Sequence, residues 1–186
     1  GLVTTMSGGT QNLAATGTGT VSSLTGSGLQ SIAAGGTGTV ASLTSGGRQI
    51  VGGTAVSTTV GAGGEQVLSG TNWTLTGNAL LSGGTQSLVA GAVLSGSTVA
   101  SGVTQNVSSG GTAVSTTLAA YGEQSISAGG TAVRTTIQAT GKQSISAGGT
   151  AVSAVVSGNQ SVLSGGLATD TTVSAGGIQS IFSGAQ

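Results

Sequence analysis

The chain has 186 residues, of which 38 are Gly, none is His, Cys or Pro, and only 3 are basic and 3 acidic. Composition therefore excludes disulfides, thiol chemistry and His- or Cys-ligated metals. Three Lys/Arg cannot neutralise a row of phosphates, and zero net charge with a mean hydropathy of +0.36 does not describe charged disorder.

Without Pro or a strict three-residue Gly period, a collagen helix is also excluded. No apolar run is long enough for a membrane-spanning helix. The opening Gly1-Leu2-Val3-Thr4-Thr5-Met6 lacks the basic-then-apolar layout of a secretion signal, so any such signal is expected to have been removed.

Along the chain, Gln11, Gln30, Gln49, Gln66, Gln86, Gln105, Gln124, Gln143, Gln160 and Gln179 recur at spacings of 17 to 20 residues, most often 19. Repeats of this length are the signature of stacked architectures. Two residues before Gln stands Gly in nine of the ten repeats, with Val103 the exception. Gly there suits a corner that needs positive φ or a close backbone approach. Two residues after Gln stands an aliphatic in every repeat, from Leu13 to Ile181.

A second aliphatic column lies six residues before Gln: Leu24, Leu43, Val60, Leu80, Val99, Leu118, Ile137 and Val173, with Val156 expected to take the place of Ala154 in a shortened repeat. Between these columns the early repeats carry Thr18-Gly19-Thr20 and Thr37-Gly38-Thr39. Later ones carry Thr-Ala-Val at 54–56, 112–114, 131–133 and 150–152. Short β-branched runs punctuated by Gly predict strands and turns, and no segment has a helical apolar period.

All the charges fall in two columns. Arg48, Glu65, Glu123 and Lys142 immediately precede Gln, whereas Arg134 and Asp170 share a column with Ser57, Ser115 and Ser153. Because side chains alternate along a strand, the first of these columns points away from Gln and the aliphatics. Charges are expected outside and aliphatics inside, with Gln on the inner face or its edge.

One such unit cannot bury a face alone, but stacked units can. The reading is all-β: a single domain over 1–186, a parallel β-helix (solenoid) of about ten turns with roughly 19 residues per turn, its rungs ~4.8 Å apart. Adjacent rungs then set Arg48 against Glu65 and Glu123 against Lys142. Two exposed inter-rung ion pairs follow, each contributing at most ~1 kcal/mol.

The units Ser109-Gly110-Gly111-Thr112-Ala113-Val114-Ser115-Thr116-Thr117-Leu118, Ala128-Gly129-Gly130-Thr131-Ala132-Val133-Arg134-Thr135-Thr136-Ile137 and Ala175-Gly176-Gly177-Ile178-Gln179-Ser180-Ile181 carry a resemblance. They resemble the passenger repeats of self-associating autotransporter adhesins, of the antigen 43 and diffuse-adherence adhesin type, and the likeness covers nearly the whole chain. The resemblance implies a right-handed β-helix displayed on the surface of a Gram-negative bacterium, held through a C-terminal outer-membrane barrel that this passenger fragment lacks. It implies cell–cell aggregation, biofilm formation or adherence, with identical passengers or the host-cell surface as partners. Heptose on Ser or Thr, added by a heptosyltransferase, is a further implication.

Ser57, Ser115 and Ser153, in the outward column, and Thr58, Thr116, Thr135 and Thr171, which follow that column, are the candidate acceptors. A catalytic role is not expected, because with few acids and no His or Cys an acid–base pair or metal site lacks its groups. No cofactor, nucleic-acid partner or membrane span is expected either. Two other readings stand beside the adhesin: an extracellular filament or matrix protein built by end-to-end stacking, and an ice-binding β-helix. For the last, the Thr-x-Thr rows at 18–20 and 37–39 are followed by Thr54-Ala55-Val56 and Thr71-Asn72-Trp73, too few matched rows for a large array. Phe182 is expected to help cover an open rung.

Overall fold

In the computed structural model, which describes residues 2–186, short strands and tight turns make up the chain. The architecture is a parallel β-solenoid of about nine turns, close to the ten expected, with about 19 residues per turn. Two compact units divide it, Gly1–Ser87 and Leu88–Gln186.

In the first unit the Gln strands Thr10–Leu13, Leu29–Ile32, Arg48–Val51 and Glu65–Ser69 pair in parallel, with Gln11, Gln30, Gln49 and Gln66 in register. The opposing sheet starts with Leu2–Met6 and the seven-residue strands Thr18–Leu24 and Thr37–Leu43. On the next turn that long strand is cut into Thr54–Val56 and Thr59–Val60. Ser57 makes the cut: its φ of 51° lies in the left-handed region, which turns the chain out of the strand direction. Val21, Leu24, Val40, Leu43 and Val60 form a fully buried cluster, with Val3, Met6 and Leu80 packed on it.

Register also corrects one expectation here. Thr74-Leu75-Thr76, not Thr71-Asn72-Trp73, pairs with Thr54-Ala55-Val56. The longer connection after Gln66 delays the strand, so a repeat counted forward at constant offset falls three residues short.

The second unit has the same three-strand turn. Its Gln strands are Thr104–Val107, Glu123–Ile126, Lys142–Ile145, Asn159–Val162 and Ile178–Ile181. The Thr-Ala-Val strands Thr112–Val114, Thr131–Val133 and Thr150–Val152 stack residue on residue. Two-residue strands close each turn, and Val156 pairs with Ile137, so Val156 does fill the aliphatic column where Ala154 was out of place. Ala154 is itself buried, at the position where Thr135 points inward one turn earlier.

Both aliphatic columns are buried through most turns, including Leu88, Val107, Leu118, Ile126, Ile137, Ile145 and Val162. Each such side chain contributes about 1.5–3 kcal/mol. The expectation fails at Leu80, which is half-buried, and near the final strand, where Val173 and Ile181 are 46% and 61% exposed and Phe182 is 52% exposed. No later rung lies over them in this structure.

The glutamines are inside, and they form a hydrogen-bonded chain. In the first unit the Nε2 atoms of Gln30, Gln49 and Gln66 donate to the Oε1 of the preceding Gln at 2.7, 2.8 and 2.8 Å. In the second, Gln124, Gln143, Gln160 and Gln179 do the same at 2.7, 2.7, 2.7 and 2.8 Å. Every amide in these runs points the same way, so their dipoles reinforce one another in a low-dielectric bore. Opposite the amides the residues are small in most turns, although Leu75 and Leu94 hold the same register position in two of them. A Cβ added to Gly38 would come 2.6 Å from Gln30 Oε1, and Ala55, Ala113, Ala132 and Ala151 line the equivalent position. This narrowness accounts for much of the light composition: in most turns the bore holds Gly or Ala facing Gln and aliphatics beside them.

The Gly column before Gln works by close approach. A Cβ on Gly47 or Gly64 would overlap the carbonyl oxygen of Leu24 or Leu43 on the preceding turn. In these turns the left-handed residue is the one before, Gly46 at φ 88° and Gly63 at φ 72°.

Candidate functional site

With the interior closed by aliphatics and amides, chemistry facing solvent resides in outward columns. The first is the left-handed corner that follows the Thr-Ala-Val strand. Ser57, Ser115, Arg134, Ser153 and Asp170 occupy it with φ between 51° and 56°. Ser57 and Ser115 are exposed and Ser153 is half-buried, so their hydroxyls sit on a projecting corner and not along a strand. Arg134 Nε donates to Ser115 Oγ at 3.3 Å.

The threonines that follow this corner are placed differently from expectation. Thr58 and Thr116 are fully buried and Thr135 is 1% exposed, while Thr171 is half-buried. Leaving the left-handed corner, the next side chain turns into the bore. There Thr135 Oγ1 donates to Gln124 Oε1 and Thr171 Oγ1 to Gln160 Oε1, each at 3.4 Å, and Thr116 Oγ1 lies 3.3 Å from Ser97 Oγ. Thr58, Thr116 and Thr135 thus cannot present a hydroxyl to an enzyme in the folded chain. They form an inward polar column, in which Thr135 serves a glutamine and Thr116 lies against Ser97.

The structure brings both charge pairs together. Arg48 Nε lies 2.8 Å from Glu65 Oε2 and Lys142 Nζ 3.1 Å from Glu123 Oε1, on adjacent rungs. The pairs differ in their surroundings. Glu65 Oε1 also accepts a 2.6 Å hydrogen bond from Ser87, which is only 7% exposed. Arg48→Ala and Lys142→Ala are expected to cost no more than about 1 kcal/mol. Glu65→Ala is expected to cost more, about 1–3 kcal/mol, because it strands the buried Ser87 hydroxyl. Urea midpoints at low and high salt check this: salt should erase the Lys142→Ala effect and leave most of the Glu65→Ala effect.

One further outward feature extends beyond the two rungs expected, and a second was not anticipated. In the first unit, Thr18, Thr37, Thr54 and Thr74 stack in one row, and Thr20, Thr39, Val56 and Thr76 in the next. In the second unit, Tyr121 is 63% exposed with φ 60°, a conformation that suits Gly far better than an aromatic residue. The equivalent positions before Gln hold Gly46, Gly63, Gly83, Gly102 and Gly176, all at positive φ. Thr140 takes the same conformation on the next rung at φ 64°, so the available signal was an aromatic residue in a column where Gly predominates.

No protein-family model and no curated protein sequence matches the chain. Among solved structures, it is similar to a TibC-catalysed, hyper-glycosylated fragment of TibA, at 30% identity and a TM-score of 0.71. The match covers 100% of this chain and 82% of the TibA fragment. Shared sequence at that level, over the full solenoid, places the chain in the family of TibA, a passenger of the autotransporter adhesins.

Proposed function

We propose that the chain is a surface-displayed adhesin passenger of a Gram-negative bacterium, of the antigen 43 and diffuse-adherence kind. In this reading it mediates cell–cell aggregation, biofilm formation or adherence through contacts with identical passengers or a host-cell surface. Its role is adhesive and not enzymatic. The observation that carries the reading is the full-length likeness to a glycosylated adhesin fragment. The outward columns supply the matching chemistry, since the long ordered surface is rich in hydroxyls and poor in charge.

Glycosylation by a heptosyltransferase belongs to the same proposal, with the acceptors narrowed to the corner serines Ser57, Ser115 and Ser153. Their hydroxyls project, whereas Thr58, Thr116 and Thr135 are locked inside. Co-expression with TibC followed by intact-mass measurement tests this. The expected product carries heptosyl increments, Ser57→Ala, Ser115→Ala and Ser153→Ala together remove up to three of them, and Thr116→Val removes none. An unmodified mass, or loss of sugar on Thr116→Val alone, would contradict the assignment.

The threonine rows of the first unit favour ice binding as a second reading, because two columns of methyl and hydroxyl groups repeat over four rungs. Val56 interrupts one row. Inhibition of ice recrystallisation by the purified chain, abolished by Thr37→Lys, would support it; inactivity would remove it.

A further inference from the structure

We propose that the outer face of the Gln strands in the Leu88–Gln186 unit is a binding platform for a neutral glycan, with the Tyr121 ring as its stacking surface. The starting observation is a backbone that works against its side chain. Tyr121 sits at φ 60° in a column where Gly predominates and Thr140 follows at φ 64° on the next rung, yet the Tyr121 ring is 63% exposed and adds nothing to the core. A bulky residue held at positive φ without packing gain points to a use at the surface. The residues beside it in sequence are Ala120 and Gly122, too small to cover the ring.

The strand that starts two residues later supplies the polar half of the site. Glu123 and Lys142 pair across adjacent rungs at 3.1 Å, with side chains 51% and 56% exposed. Beyond them along the same outward face, Ser125 stacks on Ser144, and Asn159 follows Lys142 on the next rung. Alternate residues of a strand lie roughly 6.7 Å apart and rungs ~4.8 Å apart. Carboxylate, ammonium, hydroxyl and amide groups therefore lie close enough together for one bound oligosaccharide to reach several of them.

Charge selects the ligand class. The carboxylate and ammonium balance, so the patch has no net field to concentrate an anionic polymer or a cationic peptide. What remains is an aromatic face, whose negative quadrupole attracts the weakly positive C–H face of a pyranose. Beside it lie donors and acceptors that can exchange hydrogen bonds with sugar hydroxyls. This platform is separate from the corner serines, which leave the solenoid by a different turn. The inference deepens the adhesive reading by giving it a ligand class and rests on that reading for its biological setting.

The test uses the purified, unglycosylated full chain on immobilised neutral oligosaccharides of glucose, galactose and N-acetylglucosamine. Solution titration of any ligand retained then follows the Tyr121 ring resonances by NMR. Retention of at least one neutral glycan is expected, with ring shifts and a loss of affinity of at least ten-fold in Tyr121→Gly. That variant should fold as well as the parent, because Gly suits the corner. Glu123→Gln should weaken binding several-fold. No retained neutral glycan, retention of anionic glycans only, or undiminished binding by Tyr121→Gly would each overturn the proposal. Cell adhesion is read separately, so a chain that adheres without binding sugar sinks only the glycan site.

Discussion

Gln124→Leu is expected to lower the stability of the second unit by about 3–5 kcal/mol, although the replacement is of similar size and more apolar. The substitution removes the acceptor for Gln143 Nε2 and Thr135 Oγ1, and the donor that reaches Gln105 Oε1. Each buried polar group left unmatched costs about 1–3 kcal/mol, and those costs outweigh the added apolar contact. Ser125→Ala, one residue away on the outer face, should change stability by less than about 0.5 kcal/mol. Urea midpoints compare the two. Because stacked repeats need not unfold as one transition, amide exchange along Glu123–Ile126 and Lys142–Ile145 provides the local measure. Equal midpoints for the two variants would mean that the amide chain is not a stabilising element.

The second large effect concerns two glycines required for different reasons. A Cβ on Gly130 would overlap the carbonyl oxygen of Val107 on the preceding turn. That oxygen belongs to backbone locked in the sheet and cannot withdraw. Gly130→Ala is therefore expected to cost about 4 kcal/mol or to prevent the unit from folding. Gly176 has φ 81° and open space around its missing Cβ. Gly176→Ala should cost only the left-handed backbone penalty, about 1–2 kcal/mol. Thermal or urea unfolding of both variants checks the order, and a Gly176→Ala variant weaker than Gly130→Ala would reverse the assignment of clash and strain.

These residues also show how much could be read from the chain itself. The glutamine spacing and the aliphatic columns disclose the solenoid because they repeat at nearly fixed intervals, and Gln30, Gln49 and Gln124 lie buried as alternation requires. The Arg48–Glu65 and Glu123–Lys142 contacts follow from the same register. The direction of Thr58, Thr116 and Thr135 was not legible. Alternation places a residue correctly only while the strand continues, and a left-handed Ser57, Ser115 or Arg134 breaks it. Ser at positive φ carries no strong sequence mark, since Ser is common on strands and turns alike. The row at Thr74 and Thr76 was missed for a related reason: connection length changed after Gln66 while the strand register did not.

Buried polar atoms without partners mark where the amide chain is least complete. Gln66 Oε1, Thr58 Oγ1 and Asn78 Nδ2 are of this kind, all within the first unit. Asn78 Oδ1 accepts from the Thr58 backbone N–H at 2.9 Å, so Asn78 reaches back where Ser97, Thr116, Thr135 and Thr171 stand in other turns. Asn78→Ala is expected to lower the urea midpoint, because it strands the backbone N–H of the buried Thr58.

The central claim is that the function of this chain lies in its outer surface as an adhesin. The most direct measurement displays the chain, fused to an autotransporter barrel, on a non-adherent Gram-negative host. Settling of the culture and attachment to epithelial monolayers are then compared with cells displaying the barrel alone. A several-fold gain in settling or attachment, with the passenger shown by protease shaving to be outside, is the predicted result. Cells that carry the exposed, folded passenger and yet neither clump nor attach would contradict it.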